Sequence, residues 1–261
     1  MMKKLFSAPF IIFILAGTLI PMGVVAYYGL TDRSGIFTVE NILQMFSGDH
    51  LKALMLSLLL SLTATLLCLI LAFPLALILK DSKLGKKGFM IFIFILPMWM
   101  NFVLRTMAWQ VLLEKNGMLG FLGIINTPVA VVLGMVYDYL PFMVLPVYNA
   151  MARIDDSLIE AAYDLGASRN TVLSKVILPL TVPGIVSGIT MVFVPSLTTF
   201  AISNMLGGGK VNLIGNIIEQ EFTTASNWNL GSGLSLVMMV FIVISMAFMG
   251  KYDKSGEGTM I

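Results

Sequence analysis

Two short helices joined by a tight turn are predicted by one stretch of the chain, residues 157–179, which reads SLIEAAYDLGASRNTVLSKVILP. Ser157 and Glu160 have the spacing of a capping box, in which two side chains satisfy free backbone amides at a helix start. Gly166 stands where helices commonly end in a left-handed residue. Ser168 can then cap a second helix, which we expect to end at the Leu-Pro pair that closes the stretch. The stretch therefore predicts a compact helix–turn–helix.

The chain around this stretch is strongly apolar. Of its 261 residues, 58% are hydrophobic and 11% are charged, and its mean hydropathy is +0.94. Soluble globular domains usually carry about 25% charged residues. These values exclude an ordinary soluble enzyme, and the apolar runs leave no segment long enough for a separate soluble domain. We therefore expect a single transmembrane domain over residues 1–261.

Six apolar runs are long enough to cross a bilayer, which takes roughly 20 helical residues. They cover residues 8–30, 54–79, 89–112, 128–149, 180–206 and 231–250. Lys3 and Lys4 before the first run resemble the start of a secretory signal peptide, but the run is longer than the usual apolar core of one. We therefore expect an all-α integral membrane protein with six transmembrane helices, the first of them uncleaved.

The Lys and Arg residues between these runs predict the orientation. One set of alternate connecting segments holds 11 of them and the other set holds 4. Because cytoplasmic loops of membrane proteins carry the excess of basic residues, the first set is expected to be cytoplasmic. This places both termini and the segment 150–179 in the cytoplasm.

The longest segment on the expected outer side, residues 205–230, contains a second helical pattern. Apolar residues recur there at the spacing of one helix face, at Leu213, Ile214, Ile217, Ile218 and Phe222. We expect a short helix at the outer interface of the membrane. Three consecutive glycines, 207–209, precede it and allow a sharp turn.

The chain lacks the residues that most enzymes and metal proteins need. Cys68 is the only cysteine and His50 the only histidine, so a disulfide, a multi-cysteine metal site and a histidine-activated nucleophile are excluded. A GxxxxGK[ST] phosphate-binding loop is also absent. We therefore expect no catalytic residue, no metal and no cofactor bound by this chain.

The stretch 157–179 resembles the EAA loop of permease subunits of ATP-binding-cassette (ABC) importers. The matching residues are Glu160, Ala161, Ala162, Gly166, Leu178 and Pro179, while Val176 replaces the usual isoleucine. The resemblance implies a type I ABC importer permease fold, in which the cytoplasmic loop 150–179 docks in a cleft of the ATPase. The coupling residues it implies are Glu160, Ala161, Ala162, Asp164, Gly166, Ala167 and Ser168.

Other segments are similar to the spermidine/putrescine branch of these permeases. Arg105-Thr-Met-Ala-Trp109 resembles its R-T-x-A-W segment, and Leu140–Pro146 resembles its L-P-F-x-x-L-P segment. One departure is that residues 198–202 contain no acidic side chain, although many relatives have one there. The resemblance implies import of spermidine or putrescine.

The resemblance also implies the partners. They are a second permease subunit, a dimer of ATP-binding subunits that carries the ATP and Mg²⁺, and an extracytoplasmic substrate-binding protein, with membrane lipid around the assembly and no nucleic acid. The expected location is the inner or plasma membrane of a prokaryote.

Arg105 and Asp138 are the only charges within the predicted spans. Two interpretations are open, because such charges usually face either a partner or a cavity. In the first, the charges are structural: Arg105 pairs with Asp138, or its long side chain reaches the outer interface. In the second, Asp138 lines the path of a cationic substrate together with aromatic side chains. The candidate path residues are Asp138, Tyr137, Tyr139 and Trp109, with Glu219 and Glu221 at the entrance.

Two other functions remain open at this point. One is an ABC permease for another small solute. The other is a self-sufficient secondary transporter or channel, which would need no ATPase and would tolerate changes at residues 160–166. A membrane enzyme is less compatible with the chain, because no plausible catalytic group is present.

Overall fold

The computed structural model describes residues 2–81 and 96–253 of the chain, and the regular structure in these ranges is helical apart from one bridge between Thr31 and Phe37. The helices are α1 Met2–Gly29, α2 Glu40–Leu43, α3 Gly48–Asp81, α4 Phe102–Leu113, α5 Pro128–Ala152, α6 Asp156–Asp164, α7 Arg169–Val172, α8 Leu178–Thr198, α9 Ala201–Gly207, α10 Ile214–Thr223 and α11 Trp228–Asp253. The all-α prediction is therefore confirmed.

Four of the described helices are long and apolar enough to cross a membrane. They are Gly48–Asp81, Pro128–Ala152, the continuous helix Arg169–Thr198 and Trp228–Gly250. Two shorter apolar helices accompany them, Phe13–Gly29 within α1 and Phe102–Leu113. The chain is thus a multi-pass helical protein, and the count of six crossings stays a prediction.

Two predicted spans differ from the structure. The third, residues 89–112, lies partly outside the described residues, and its described part is broken into a 3₁₀ turn at Leu96–Trp99 followed by α4. The fifth, residues 180–206, is wrong as a single helix, because α8 ends at Thr198 and the extended backbone of Thr199 turns the chain into α9. The Phe200 carbonyl accepts from the Asn204 amide at 2.8 Å at the start of α9, and the Asn216 side-chain amide also donates to it at 3.1 Å and so joins α10 to the break.

The centre of the bundle is formed by α3, α5 and α8, and α1 packs against α11 at its side. Two glycines four residues apart, Gly184 and Gly188, let α8 approach α5 closely. A Cβ added at Gly184 would lie 2.5 Å from the Cβ of Ala150 and 2.5 Å from the carbonyl oxygen of Pro146. Small residues at this spacing are a common means of close helix packing in membranes.

Polar contacts join the elements at the end of the bundle opposite α6. The Asn229 amide donates to the Thr31 carbonyl at 2.7 Å, and the Asn41 amide donates to the Gly29 carbonyl at 3.3 Å. These asparagines satisfy the carbonyl of the last residue of α1 and a carbonyl in the turn that follows it. At the same end, the Ser57 hydroxyl accepts from the Ile214 amide at 2.8 Å and anchors α10 to α3.

The predicted short helix is present as α10, Ile214–Thr223, and its place at the outer interface of the membrane stays a prediction. Its first turn is buried against the bundle. Gly208 and Gly209 have φ of +54° and +73°, so the predicted sharp turn is also present. Aromatic rings surround the start of α11, where Trp228 lies with its ring centroid 5.5 Å from that of Phe222 and 6.1 Å from that of Tyr28.

Candidate functional site

The segment that contains α6 and α7 begins differently from the predicted capping box. Asp155, rather than Ser157, is the N-terminal cap of α6, and its carboxylate accepts from the Ser157 amide at 2.9 Å. The cap therefore lies two residues before the predicted one, the helix begins at Asp156, and Glu160 lies within it. The hydrogen bonds from the Ser157 backbone and side chain lower the pKa of Asp155, which favours the charged form that caps the helix.

The turn after α6 matches the prediction. Gly166 has φ +81°, a left-handed conformation that favours glycine. Its amide donates to the Tyr163 carbonyl at 2.8 Å and the Ala167 amide donates to the Ala162 carbonyl at 3.0 Å, which is the bond pattern of a Schellman motif. Ser168 caps α7 by accepting from the Thr171 amide at 3.3 Å. A helix–turn–helix is therefore present.

The predicted coupling residues lie on an open surface. Glu160, Ala161, Asp164, Gly166 and Ser168 are exposed, whereas Ala162 and Ala167 are half-buried. Apolar side chains accompany them, since Leu165 is 89% exposed and Leu158 50%. Small, charged and apolar groups together form a surface suited to contact with another protein.

Sequence reasoning missed how α6 is attached to a membrane helix. Lys80, in the last turn of α3, is only 8% exposed, and its ammonium group lies 3.5 Å from the Ile154 carbonyl and 3.8 Å from the Asp156 carboxylate. A cation is also favoured there by the negative end of the α3 dipole. The sequence does contain a lysine directly after the predicted span 54–79, but it entered the argument only through the number of basic residues on each side of the membrane.

On its other side, this segment continues without a break into α8. The predicted end of the second helix at Leu178-Pro179 is therefore wrong. A π turn at Leu173–Ile177, where the Leu178 amide donates to the Leu173 carbonyl, precedes Pro179. Because proline cannot bond to the carbonyl four residues before it, this wider turn accommodates Pro179 within one helix, Arg169–Thr198.

The charges within the membrane helices are brought together. The guanidinium Nη2 of Arg105 on α4 lies 3.3 Å from Oδ1 of Asp138 on α5, and both side chains are buried. The Thr106 hydroxyl donates to Oδ2 of Asp138 at 2.9 Å. The Tyr137 ring lies 5.9 Å from the guanidinium and 5.5 Å from the Trp109 ring. This is the pairing that one of the two sequence interpretations expected.

Of the other candidate path residues, Tyr139 follows Asp138 on α5 with its hydroxyl near α8, and the two glutamates lie elsewhere, on α10. Tyr139, two residues after Tyr137, has its hydroxyl 3.4 Å from the Pro195 carbonyl of α8. Glu219 and Glu221 lie on α10 and are half-buried, and a carboxylate oxygen of Glu219 accepts from the Thr223 hydroxyl at 3.2 Å. In the described part of the chain, no three His, Cys, Asp or Glu side chains are placed to hold a metal ion.

Comparison with known proteins shows a family that covers nearly the whole chain. A family model described as "Binding-protein-dependent transport system inner membrane component" matches residues 5–255. The spermidine/putrescine transport system permease protein PotB of Haemophilus influenzae is 37% identical over 218 residues, which are 79% of this chain and 76% of that protein. The PotB protein of Escherichia coli is 35% identical over 216 residues, 78% of each chain.

Solved structures agree on the fold. A chain in the crystal structure of a bacterial ABC transporter involved in the import of the acidic polysaccharide alginate has a TM-score of 0.80 at 17% identity, covering 97% of this chain and 95% of that one. A chain of the inward-facing MetNI methionine ABC transporter has a TM-score of 0.60 at 18% identity, covering 79% and 95%. The chain has the ABC importer permease fold and belongs to the family of binding-protein-dependent transport system inner membrane components, the permease subunits of ABC importers.

Proposed function

We propose that this chain is one transmembrane subunit of an importer that carries spermidine or putrescine across the cell membrane. The observation that carries the proposal is its 35–37% identity, over most of its length, to permease proteins named for spermidine/putrescine transport. The relatives from Haemophilus influenzae and Escherichia coli both carry that name, and the compared regions, which cover 79% and 78% of this chain, include the segment 157–179 and the helices around Arg105 and Asp138. This chain would catalyse no reaction itself.

The proposed assembly contains four kinds of subunit. This chain pairs with a second permease, two ATP-binding subunits bind ATP and Mg²⁺, and a substrate-binding protein delivers the polyamine from outside. A solved transporter with the same fold is described as a complex with a substrate-loaded periplasmic protein, which supports this arrangement. Both termini and the segment 150–179 face the cytoplasm in this proposal, with six crossings of the membrane.

The exposed surface around α6 is the proposed ATPase contact. Closure of the ATPase dimer on ATP would move α6, and two attachments would carry this movement into the membrane. One is Lys80 at the end of α3, and the other is the unbroken helix that begins at Arg169 and continues as α8. Since α3, α5 and α8 form the centre of the bundle, their displacement would switch access from one side to the other.

The cluster around Asp138 is the proposed inner part of the substrate path. Polyamines combine ammonium groups, which need carboxylates, with methylene chains that contact aromatic and apolar faces. Asp138, Tyr137, Tyr139 and Trp109 supply these groups within one region of α4 and α5. Because Asp138 also pairs with Arg105, it would combine contact with the substrate with the neutralisation of a buried cation.

Charge reversal at Glu160 tests the coupling. Glu160→Arg should uncouple ATP hydrolysis from polyamine uptake, because it reverses an exposed charge on the proposed ATPase contact without disturbing a buried group. Glu114→Arg is the matched control, since Glu114 is also exposed but lies beyond the end of α4. The measurements are ATP hydrolysis stimulated by the loaded binding protein and uptake into proteoliposomes. Equal coupling in the two variants would contradict the proposed contact.

A permease for a different small solute is the second candidate. It is favoured by the absence of acidic side chains from residues 198–202, where the resemblance to spermidine/putrescine permeases implies one. The two candidate functions are distinguished by measuring which members of a panel of linear amines, amino acids and sugars inhibit uptake by the importer. Inhibition by spermidine and putrescine alone supports the polyamine importer, whereas inhibition by another class overturns it.

A further inference from the structure

A groove of about 550 Å³ lies between the end of α8, the inward face of α10 and the first half of α11. Its walls are mostly apolar and include Phe200, Phe222, Met238 and Ile242. The groove lies at the end of the bundle opposite α6. A cavity with apolar walls and few polar groups is the usual form of a site for a small organic ligand.

Among the described residues that line this groove, Glu219 alone has a charged side chain. It is half-buried, and its described partner is the neutral hydroxyl of Thr223 at 3.2 Å. None of the ion pairs between residues of the described ranges involves Glu219. Because a partly desolvated carboxylate is stabilised by an opposite charge, the groove is complementary to a cation.

We propose that the groove is an entry subsite for one end of a linear aliphatic polyamine. Glu219 binds an ammonium group, the Phe222 ring offers a second favourable surface to that cation, and the apolar walls contact the methylene chain. The inference rests on the proposed function, which places this end of the bundle outside the cell. An apolar helix of another subunit fits the groove less well, since it would bury the Glu219 carboxylate without a partner.

The preference of the groove for cations can be measured with a thiol introduced on its wall. Ser235 lines the groove and donates from its hydroxyl to the Gly231 carbonyl at 2.8 Å, so Ser235→Cys is a small change. The variant is made with Cys68→Ser, which removes the only other cysteine. In the assembled importer, the introduced thiol is allowed to react with two methanethiosulfonate reagents of similar size. One carries a trimethylammonium group and the other is uncharged, and the two reaction rates are compared.

The ratio of the two rates should fall about fivefold on adding Glu219→Gln, which is the effect of one charge at contact distance in a water-like dielectric. Glu40→Gln is the matched control, because Glu40 is an exposed carboxylate on α2 that does not line the groove. Spermidine should slow the reaction when Glu219 is present and lose this effect in E219Q. An unchanged ratio overturns the proposal, and so does a thiol that reacts with neither reagent, because another subunit then fills the groove.

Transport separates this inference from the proposed function. In reconstituted importers, Glu219→Gln should lower the rate of spermidine uptake at saturating binding protein about fivefold, while E40Q matches the wild type. If the wild type imports polyamines and E219Q equals E40Q, only the entry subsite fails. If the wild type imports no polyamine, the proposed function fails whatever the thiol experiment gives.

Discussion

The ion pair of Arg105 and Asp138 joins two helices inside the bundle. The charged atoms are 3.3 Å apart and the side chains are 6% and 2% exposed, so neither reaches water in the described structure. A single charge in this position would be far more costly than the pair, because its desolvation would not be offset. Asp138 therefore offsets the cost of burying Arg105 where α4 meets α5, whether or not it also meets a substrate.

Removing one charge of this pair should be more damaging than removing both. Asp138→Asn leaves Arg105 buried without a counter-charge, and we expect a loss of about 3–5 kcal/mol in the free energy of unfolding. The double variant Arg105→Gln with Asp138→Asn should recover most of that loss. Thermal unfolding of the solubilised complex and the yield of assembled importer measure both effects. A stable D138N variant that has lost only polyamine transport would instead identify Asp138 as a substrate ligand.

Lys80 provides a second test at the level of single residues. Lys80→Met keeps the apolar stem of the side chain but removes its contacts with Ile154 and Asp156. We expect a loss of about 1 kcal/mol in stability and a clear fall in binding-protein-stimulated ATP hydrolysis, because α6 loses its attachment to α3.

Lys52→Met is the control for this substitution. Lys52 also pairs with an aspartate, Asp49, but both side chains are exposed, at 80% and 94%. Exposed ion pairs contribute little, so this variant should behave as the wild type. Equal ATPase activity in the two lysine variants would show that Lys80 does not transmit movement from α6.

At the scale of helices, local patterns were predicted well and breaks in long helices were not. The periodicity of residues 213–222 predicted α10, and Gly166 predicted the turn after α6, because both depend on neighbouring residues. The break at Thr199 packs against α10, where the side-chain amide of Asn216, seventeen residues further along the chain, donates to the next carbonyl, so neighbouring residues do not reveal it. The cap of α6 was misplaced because Asp155 and Ser157 are both good caps and only the backbone geometry selects Asp155.

The site was predictable to a similar extent. The segment 157–179 was located by its sequence pattern, while the attachment of Lys80 required the fold. The Arg105–Asp138 contact was one of two open interpretations, since spacing along two different helices does not fix which side chains meet. The groove beside Glu219 is formed where the end of α8, α10 and α11 fold together, and this arrangement is set by packing, so the sequence suggested the carboxylate and not the cavity.

The close contact of α5 with α8 predicts a difference between two glycines on one helix. Gly184→Ala should destabilise by about 1–3 kcal/mol, because the new methyl group would meet the Ala150 Cβ and the backbone of Pro146 at 2.5 Å. Gly188→Ala should cost less, since its nearest neighbour is the movable sulfur of Met143 at 2.6 Å.

Gly23→Ala is the control for these variants, because no heavy atom lies within 4 Å of its added Cβ. Alanine favours helix over glycine, so this change should be neutral or slightly stabilising. Thermal unfolding in one detergent ranks the three variants. A Gly184→Ala variant as stable as Gly23→Ala would contradict the close approach of the two helices.

For the whole molecule, the distribution of exposed apolar residues agrees with a bundle surrounded by lipid and other subunits. Large exposed hydrophobic side chains occur along α1, α3 and α11, including Leu59, Leu66 and Phe248. Soluble monomers rarely expose such extensive apolar surface. The composition predicted this setting, since too few charged residues are present to cover the chain in water.

The orientation of the bundle can be tested with single cysteines in the Cys68→Ser background. Ser47 precedes α3, Ser226 precedes α11, and Asn170 lies on α7; all three are exposed. The connecting segments on the same side as Asn170 carry 11 basic residues, and those on the opposite side carry 4. Because cytoplasmic loops carry the excess of basic residues, we expect Asn170 to face the cytoplasm. In intact cells, an impermeant thiol reagent should label S47C and S226C and should label N170C only after the membrane is opened. Labelling of N170C in intact cells would invert the topology and separate α6 from any cytoplasmic ATPase.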